Sequence, residues 1–205
     1  MSLVAARAVR FSRAHGEVLR DVTLEVQAGE RVALIGENGA GKTTLLRLLA
    51  GFERPVSGSI EAAPHGSGYV PQTAGDSLFP WRSVLRNAAL PRLVAGLDDA
   101  LEVARMRLAA VAPGLSPSRL AAALSGGERQ LLALVRALTA PGPLVLADEP
   151  FSALAPETRQ RVIRAFDAGL EGRALLLVTH ERADAIALNA RVLRLAEGVL
   201  RPEAS

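Results

Sequence analysis

The nine residues from Gly36 to Thr44 constrain the fold more than any other segment of the chain. They read Gly-Glu-Asn-Gly-Ala-Gly-Lys-Thr-Thr, which matches the phosphate-binding pattern G-x-x-x-x-G-K-[ST]. Before them, Val32 to Ile35 form a continuous apolar run that is typical of a buried parallel strand. After them, Lys42 to Ala50 carry leucines at helical spacing, and Gly51 ends the pattern. A strand, a glycine-rich loop and a helix in this order predict an α/β fold that binds a nucleoside phosphate.

This loop is expected to hold phosphate mainly through its backbone. Its glycines let N–H groups wrap around phosphate oxygens, and the start of the following helix adds a favourable partial charge. The Lys42 ammonium is expected to reach the outer phosphates and the Thr43 hydroxyl to bind Mg²⁺. The predicted nucleotide-binding residues of this segment are Gly36, Asn38, Gly39, Ala40, Gly41, Lys42, Thr43 and Thr44. The alternative is that the segment is only a glycine-rich surface turn.

Composition narrows the class of protein further. Of 24 basic residues only Lys42 is a lysine, which indicates that this position needs a compact ammonium; the alternative is that one lysine persists by accident. The arginines are interspersed with acidic residues, so we expect no nucleic-acid partner. With 205 residues, 49% of them apolar, and no cysteine, the chain is predicted to be one soluble intracellular domain without disulfides. No apolar run approaches the roughly 18 residues of a membrane span.

Two further apolar runs end in polar residues. Leu144 to Ala147 lead into Asp148 and Glu149, and Ala174 to Val178 lead, after one threonine, into His180. Because ligands of open α/β sheets lie beyond the carboxyl ends of the strands, we expect these side chains to meet the phosphate loop. We predict that Asp148 holds Mg²⁺, that Glu149 orients or deprotonates the attacking water, and that His180 bonds the γ-phosphate. Taken alone, the acidic pair is equally typical of a turn, and the histidine of a surface cap.

A serine- and glycine-containing segment precedes the acidic strand. Leu124 to Gln130 read Leu-Ser-Gly-Gly-Glu-Arg-Gln. Ser125 is predicted to cap a helix over Glu128 to Ala140, and Gly126 and Gly127 allow the backbone to approach an anion closely. On this segment alone, a capped helix with no further role is an equal alternative.

Together with the phosphate loop, this segment resembles the signature motif of ATP-binding cassette (ABC) ATPases. Tyr69-Val70-Pro71-Gln72 resembles the family's Q-loop, which implies that Gln72 contacts Mg²⁺ and the attacking water. Asp148 and Glu149 resemble the Walker B acid and the catalytic glutamate, and His180 resembles the switch histidine. The motifs stand in the family's order, and the resemblance covers nearly the whole chain. It implies an enzyme that binds and hydrolyses ATP with Mg²⁺.

The same resemblance implies the architecture of a P-loop NTPase. Such a protein has a mainly parallel, RecA-like core, an N-terminal antiparallel β layer and an inserted α-helical lobe. We expect a single domain over residues 1–205, with the β layer in 1–30, the nucleotide-binding core in 31–73 and 126–205, and the helical lobe in 74–125. Helical periodicity in the lobe predicts helices over Val84 to Ala95 and Asp98 to Val111.

A second cassette is implied as a partner, because one chain of this family does not form a complete site. Ser125, Gly126 and Gly127 are implied to close over ATP that is held by the phosphate loop of the other cassette. The pair has two-fold symmetry if both chains are identical, and we expect a homodimer. Binding of ATP would join the two cassettes and hydrolysis would release them.

A membrane permease is the second implied partner. Leu78 to Pro91 are most similar to cassettes of bacterial importers for sulfonates, nitrate or thiamine-type precursors. Within them, Phe79 and Trp81 form an aromatic pair on which a permease helix would dock; alternatively, both rings pack inside the lobe. An importer also implies a substrate-binding protein and a location in the cytoplasm, on the cytoplasmic face of the inner membrane.

Two positions depart from the family's pattern. Ala155 stands where the family usually has aspartate, which leaves communication between the two sites in question. The family often stacks an aromatic ring on adenine, and the corresponding position lies near Arg13, beside Phe11 and His15. A guanidinium plane also stacks on a base, so Arg13 is predicted to contact adenine, with a plain solvent-exposed arginine as the alternative.

Two other functions stay open. One is a soluble ABC ATPase of translation or DNA repair, but such proteins usually carry tandem cassettes or long insertions, and this chain ends about 25 residues after His180. The other is a nucleotide-gated interaction module with little turnover, which Ala155 favours.

Overall fold

The computed structural model describes residues 2–14 and 16–203, which form two β-sheets and the helices that flank them. One sheet is antiparallel and consists of β1 (Ser2–Arg13), β2 (Gly16–Gln27) and β4 (Ser57–Glu61), with β1 in the middle. Every second residue of β2 from Val22 to Val26 is buried, because alternate side chains of a strand point to opposite faces. The buried face of this sheet contributes to the core around the phosphate loop.

The position of β4 corrects the predicted division of the chain. The antiparallel layer was expected within residues 1–30, whereas β4 lies in the part assigned to the core and pairs with β1, with Ile60 opposite Ala6. The four residues Ser57 to Ile60 contain one large apolar side chain, so no alternation reveals the strand. The strand forms because its backbone N–H and C=O groups pair with those at the edge of β1. Without this pairing, the backbone groups at that edge would lack partners in the sheet.

The second sheet has six strands among the described residues and forms the centre of the protein. Its strands are β3 (Arg31–Ile35), β5 (Gly68–Val70), β6 (Leu144–Asp148), β7 (Ala174–Val178), β8 (Arg191–Ala196) and β9 (Val199–Pro202). Their order is β5-β6-β7-β3-β8-β9, and all neighbours are parallel except β8 and β9. The predicted α/β class and the three predicted parallel strands are confirmed.

Helices and the antiparallel sheet cover both faces of this central sheet. The helices are α1 (Lys42–Leu49), α2 (Val84–Val94), α3 (Ala100–Val111), α4 (Gly126–Thr139), α5 (Pro156–Leu170) and α6 (Arg182–Ala187). In β6, Leu144 and Leu146 pack on the side of α1 and the antiparallel sheet, whereas Val145 and Ala147 pack on the side of α4 and α5. Since both faces are buried, β6 is apolar until its final residue.

The helical lobe consists of α2 and α3, which pack against each other and against α4. Both helices confirm the prediction, with bounds that differ by at most two residues. Short 3-10 helices at Ala74–Ser77 and Ala121–Ala123 connect the lobe to the core. No helix in the described part of the chain is long and apolar enough to cross a bilayer.

Candidate active site

The phosphate loop lies between β3 and α1, at the carboxyl end of the central sheet. Gly36 has φ +152°, and a side chain at this position would collide with the carbonyl oxygen of Leu195. Gly41 has φ +101° and forms the N-cap of α1, where a Cβ would lie 2.9 Å from the Leu19 side chain. Both positions therefore require glycine, because the backbone conformation and the close packing exclude other residues.

Lys42 crosses the loop from the start of α1. Its Nζ donates hydrogen bonds to the carbonyl oxygens of Gly36, at 2.8 Å, and Glu37, at 2.9 Å. The residue is only 7% exposed. An ammonium has three N–H donors, so one donor is left for a further acceptor such as a phosphate oxygen.

A cavity of about 380 Å³ opens beside the loop, and a second of about 420 Å³ adjoins it. The predicted residues that line the first are Arg13, Asn38, Gly39, Gly41, Lys42, Thr43, Thr44, Gln72, Asp148 and Glu149. The second is lined by Gly36, Asn38, Gln72, Glu149 and His180, together with Glu37 and Ser152. Ala40 lines neither cavity and instead faces the β8–β9 hairpin. The fold thus brings the phosphate loop, the acidic pair, Gln72 and His180 together.

Asp148 ends β6 beneath the phosphate loop. It is 1% exposed, and neither carboxylate oxygen has a hydrogen-bond partner among the described residues. Burial raises the pKa of this carboxyl above its ordinary value, and Glu149 adds to the rise. The nearby Thr43 hydroxyl, which does not meet hydrogen-bond geometry with either oxygen, and the Lys42 charge oppose it. A buried carboxylate without a partner is costly unless a cation compensates its charge.

These residues fit a magnesium site. The Thr43 hydroxyl and the Asp148 carboxylate line the same cavity, and both are oxygen ligands of the kind Mg²⁺ prefers. The described residues contain no group of three or more His, Asp or Glu side chains that would form a metal cage. Mg²⁺ commonly has few protein ligands and takes the others from phosphate and water.

Glu149 and His180 contact each other directly. Glu149 has φ +47°, a left-handed conformation that is costly for a residue with a side chain, and its N–H donates to the Val178 carbonyl at 2.9 Å. His180 Nδ1 lies 2.8 Å from Glu149 Oε2. The sequence predicted a contact of His180 with phosphate, and its contact with Glu149 was missed because the two residues are 31 positions apart.

Ser125 is the N-cap of α4, as predicted. Its Oγ accepts a hydrogen bond from the Glu128 N–H at 3.3 Å, and Glu128 Oε2 accepts one from the Ser125 N–H at 2.8 Å, which completes a capping box. Ser125, Gly126 and Gly127 line neither cavity. Within one chain the structure does not bring the signature segment to the phosphate loop.

Gln130 lies in the site region but was not among the predicted site residues. It is buried, and its Nε2 donates to the carbonyl oxygen of Pro150 at 2.8 Å. This bond joins α4 to the residue that follows Glu149. The available signal was a polar side chain among the apolar residues of a predicted helix.

Arg13 lies at the rim of the first cavity. Its Cζ is 5.3 Å from the centre of the Phe11 ring, and its Nη2 lies 3.1 Å from both carboxylate oxygens of Glu53. Glu53 also accepts a hydrogen bond from Arg47 at 2.6 Å. This carboxylate restrains the guanidinium, and the contact was not predicted because the two residues are 40 positions apart. His15 lies outside the described residues.

The aromatic pair of the lobe lies on the surface. The Phe79 and Trp81 rings meet edge to face at 5.5 Å, and Trp81 is 70% exposed. The alternative in which both rings pack inside the lobe is therefore wrong for Trp81, whereas Phe79 is half-buried. Leu120, also exposed, lies on the segment that pairs with this turn, since the Ala121 N–H donates to the Arg82 carbonyl at 3.0 Å.

Several known proteins are similar to this chain in sequence. The sequence profile described as "ABC transporter" matches residues 19–152, which is more than half of the chain. An aliphatic sulfonates import ATP-binding protein of Paracoccus denitrificans is 39% identical over 93% of this chain and 79% of its own length. A taurine import ATP-binding protein of Pseudomonas aeruginosa is 37% identical over 92% and 76%.

A solved structure shows the same fold. The dimeric structure of the bacterial ABC transporter cassette MJ0796 superposes with a TM-score of 0.84, covering 97% of this chain and 96% of that chain at 23% identity. The chain therefore belongs to the ABC transporter family, as an ATP-binding ATPase cassette.

Proposed function

We propose that this chain hydrolyses ATP, with Mg²⁺, to drive import through a separate membrane permease, and that residues 1–205 act as one ABC ATPase domain. The observation that carries the proposal is the meeting of Lys42, Asp148, Glu149 and His180 at two adjoining cavities. A phosphate cradle, a buried carboxylate and a base beside a histidine are the parts that phosphoryl transfer to water requires.

In the proposed reaction the phosphate loop binds the β- and γ-phosphates, and Lys42 stabilises their charge. Thr43 and Asp148 would hold Mg²⁺, which supplies neutralisation of charge on the phosphates when bound. Gln72 lines both cavities and is proposed to contact Mg²⁺ and the attacking water.

The water is proposed to lose its proton to Glu149. The Glu149 carboxylate accepts the proton as the water oxygen forms a bond to the γ-phosphorus, and the bond to ADP breaks. His180 holds the Glu149 carboxylate in place and contacts the γ-phosphate. Arg13 is proposed to stack on adenine. It lines the cavity, and Phe11 lies against one face of its guanidinium, which leaves the other face for the base.

A second copy of the chain is proposed to complete the site. Ser125, Gly126 and Gly127 lie away from the phosphate loop of their own chain, so they remain available to ATP held by another cassette. Two copies with two-fold symmetry would give each ATP one phosphate loop and one signature segment.

The permease is proposed to dock on Phe79, Trp81 and Leu120, at the cytoplasmic face of the membrane. An exposed tryptophan that packs on a half-buried phenylalanine, beside an exposed leucine, is a typical anchor for a partner helix. The relatives named for sulfonate and taurine import suggest a small molecule with a sulfonate group as the cargo, delivered by a substrate-binding protein.

The test is purification of the Glu149→Gln variant from native membranes with ATP. We expect an intact complex with a multi-span protein, and an ATPase rate at least about 100-fold below that of the parent, because the general base is lost. Adding Trp81→Ala should release the permease, whereas Val94→Ala, at another exposed apolar position of the lobe, should not.

Recovery of ribosomes or DNA instead of a membrane protein would contradict the transport function. Equal ATPase rates of parent and Glu149→Gln, with Mg²⁺ and partner present, would favour the nucleotide-gated interaction module.

A further inference from the structure

Arg159 and Asp184 form an ion pair in which the aspartate is buried and the arginine is half-buried. Arg159 Nε and Nη2 donate to Oδ1 and Oδ2 of Asp184 at 3.2 and 2.7 Å, so the contact is bidentate. Asp184 is 2% exposed. A carboxylate this deeply buried needs such a partner, because it has lost its hydration. The pair joins the first turns of α5 and α6, and neither residue lines the two cavities of the site.

Asp184 also holds the backbone around His180. Its Oδ2 accepts a hydrogen bond from the Thr179 hydroxyl at 3.1 Å, and Thr179 Oγ1 accepts one from the Glu181 N–H at 3.0 Å. The buried Thr179 in turn donates its N–H to the Leu34 carbonyl at 3.1 Å. The residues on both sides of His180 are therefore fixed by hydrogen bonds that lead to Asp184.

His180 itself has little packing to orient it. Its side chain is 54% exposed. Its ring nitrogens lie 2.8 Å from Glu149 Oε2 and 3.5 Å from Glu181 Oε1. Because an exposed ring with few contacts takes its position from its backbone, the bonds that fix Thr179 and Glu181 also determine where the imidazole meets Glu149.

Arg159 extends this arrangement to the segment after Glu149. Its N–H donates to the Ala155 carbonyl at 2.9 Å, so it stands one turn into α5. Ala155 supplies no side-chain cap to this helix. The Arg159 side chain therefore ties the uncapped first turn of α5 to the first turn of α6, which follows the loop that carries His180.

We propose that Arg159 and Asp184 are positioning residues, which hold His180 against Glu149 during ATP hydrolysis without touching the nucleotide. This inference rests on the proposed role of His180. A displacement of a catalytic group by about 1 Å can lower a rate by up to about 100-fold. The expected effect is on turnover, since neither residue contacts the phosphate loop.

The first test is the Asp184→Asn variant, which retains the shape of the side chain and removes its charge. We expect kcat for ATP hydrolysis to fall about tenfold, with KM for ATP changed by less than about twofold. The ring ¹⁵N resonances of His180 should also shift. The chain has 3 histidines, so His180→Gln identifies the signal.

A double variant and a matched control separate positioning from folding. If Arg159 and Asp184 act as one unit, Arg159→Met with Asp184→Asn should lose no more kcat than the more impaired single variant. Arg92 and Asp99 form a bidentate pair with distances of 2.8 and 2.6 Å in the helical lobe. Asp99→Asn should leave kcat and the His180 resonances unchanged.

Three results would overturn the inference, and they differ from one another. Full kcat in folded Asp184→Asn, alongside an impaired His180→Gln, would remove the positioning role alone. Full activity of His180→Gln would remove the proposed role of His180 and this inference with it. A loss of kcat in Asp184→Asn that matches the loss of folded protein, with His180 resonances unmoved, would make the ion pair purely structural.

Discussion

The phosphate loop and the acidic end of β6 face the same cavity, but their charged groups differ in whether they have hydrogen-bond partners within the described chain. In the loop, two carbonyl oxygens accept hydrogen bonds from the Lys42 ammonium. At the end of β6, both Asp148 oxygens are without a partner among the described residues, and Glu149 has a left-handed backbone. One region is satisfied by its own chain, and the other is under electrostatic and conformational strain.

The difference shows which part of the site is complete in the folded chain and which part needs a bound cation. The loop is a short contiguous segment between β3 and α1, and the carbonyl oxygens that accept from Lys42 belong to the same segment as the lysine. The acidic end places a carboxylate where burial opposes ionisation, and a bound cation would relieve that cost. We therefore expect variants of the loop to impair nucleotide binding. Variants of the acidic end should lower the affinity for ATP with Mg²⁺ while they raise the stability of the fold.

Substitution of Lys42 should have the largest effect. In Lys42→Ala we expect the ATPase rate to fall at least about 100-fold, and the affinity for ATP to fall both with and without Mg²⁺, because a donor to the phosphates is lost. Lys42→Arg should rescue little, since a planar guanidinium does not fit between the carbonyls of Gly36 and Glu37. Calorimetry measures the affinity for ATP, and an equal affinity of Lys42→Ala and the parent would contradict the role of the loop in binding phosphate.

Asp148→Asn should have an intermediate effect, raising stability and lowering the affinity for ATP in the presence of Mg²⁺. Without nucleotide, the variant should be more stable by about 1 kcal/mol, because the neutral amide removes a buried charge. With Mg²⁺ its affinity for ATP should fall, whereas with EDTA the affinities of variant and parent should be similar.

The gain in stability should depend on pH. Burial raises the pKa of Asp148 in the folded state, so the ionised carboxylate weakens folding fully at pH values above that pKa. As pH falls through the folded pKa toward the unfolded value, the carboxyl is protonated and the penalty disappears. The difference in Tm between variant and parent should therefore shrink in acid, and a constant difference would argue against a titrating carboxylate.

The smallest expected effect concerns the helix that follows the acidic end. Ala155 has an extended N-cap backbone but no side-chain acceptor, whereas Ser125 caps α4. Ala155→Asp should stabilise the chain by about 1 kcal/mol, and Ser125→Ala should destabilise it by a similar amount. Unfolding in denaturant measures both changes. If Ala155→Asp gains nothing, the first turn of α5 is already satisfied by other groups.

Local sequence patterns were sufficient for much of the fold. The strand, loop and helix around Lys42 were predicted, as were α2, α3 and the cap at Ser125, because contiguous residues determine each of them. The third strand of the antiparallel sheet was not predicted, since Ser57–Glu61 becomes a strand through its pairing with β1. The same limit applies to the site, where Glu53 on Arg13 and Gln130 on Pro150 join distant parts of the chain.

The sequence by itself determined the order of the motifs and the chemistry of each, because spacing and residue type carry that information. Only the tertiary structure decided that Asp148 is buried with no hydrogen-bond partner in the described part of the chain, that His180 meets Glu149, and that Arg159 holds Asp184. Burial, charge pairing and distance depend on which elements of the sheet become neighbours. These are long-range properties, and they bring the motifs together in one candidate site.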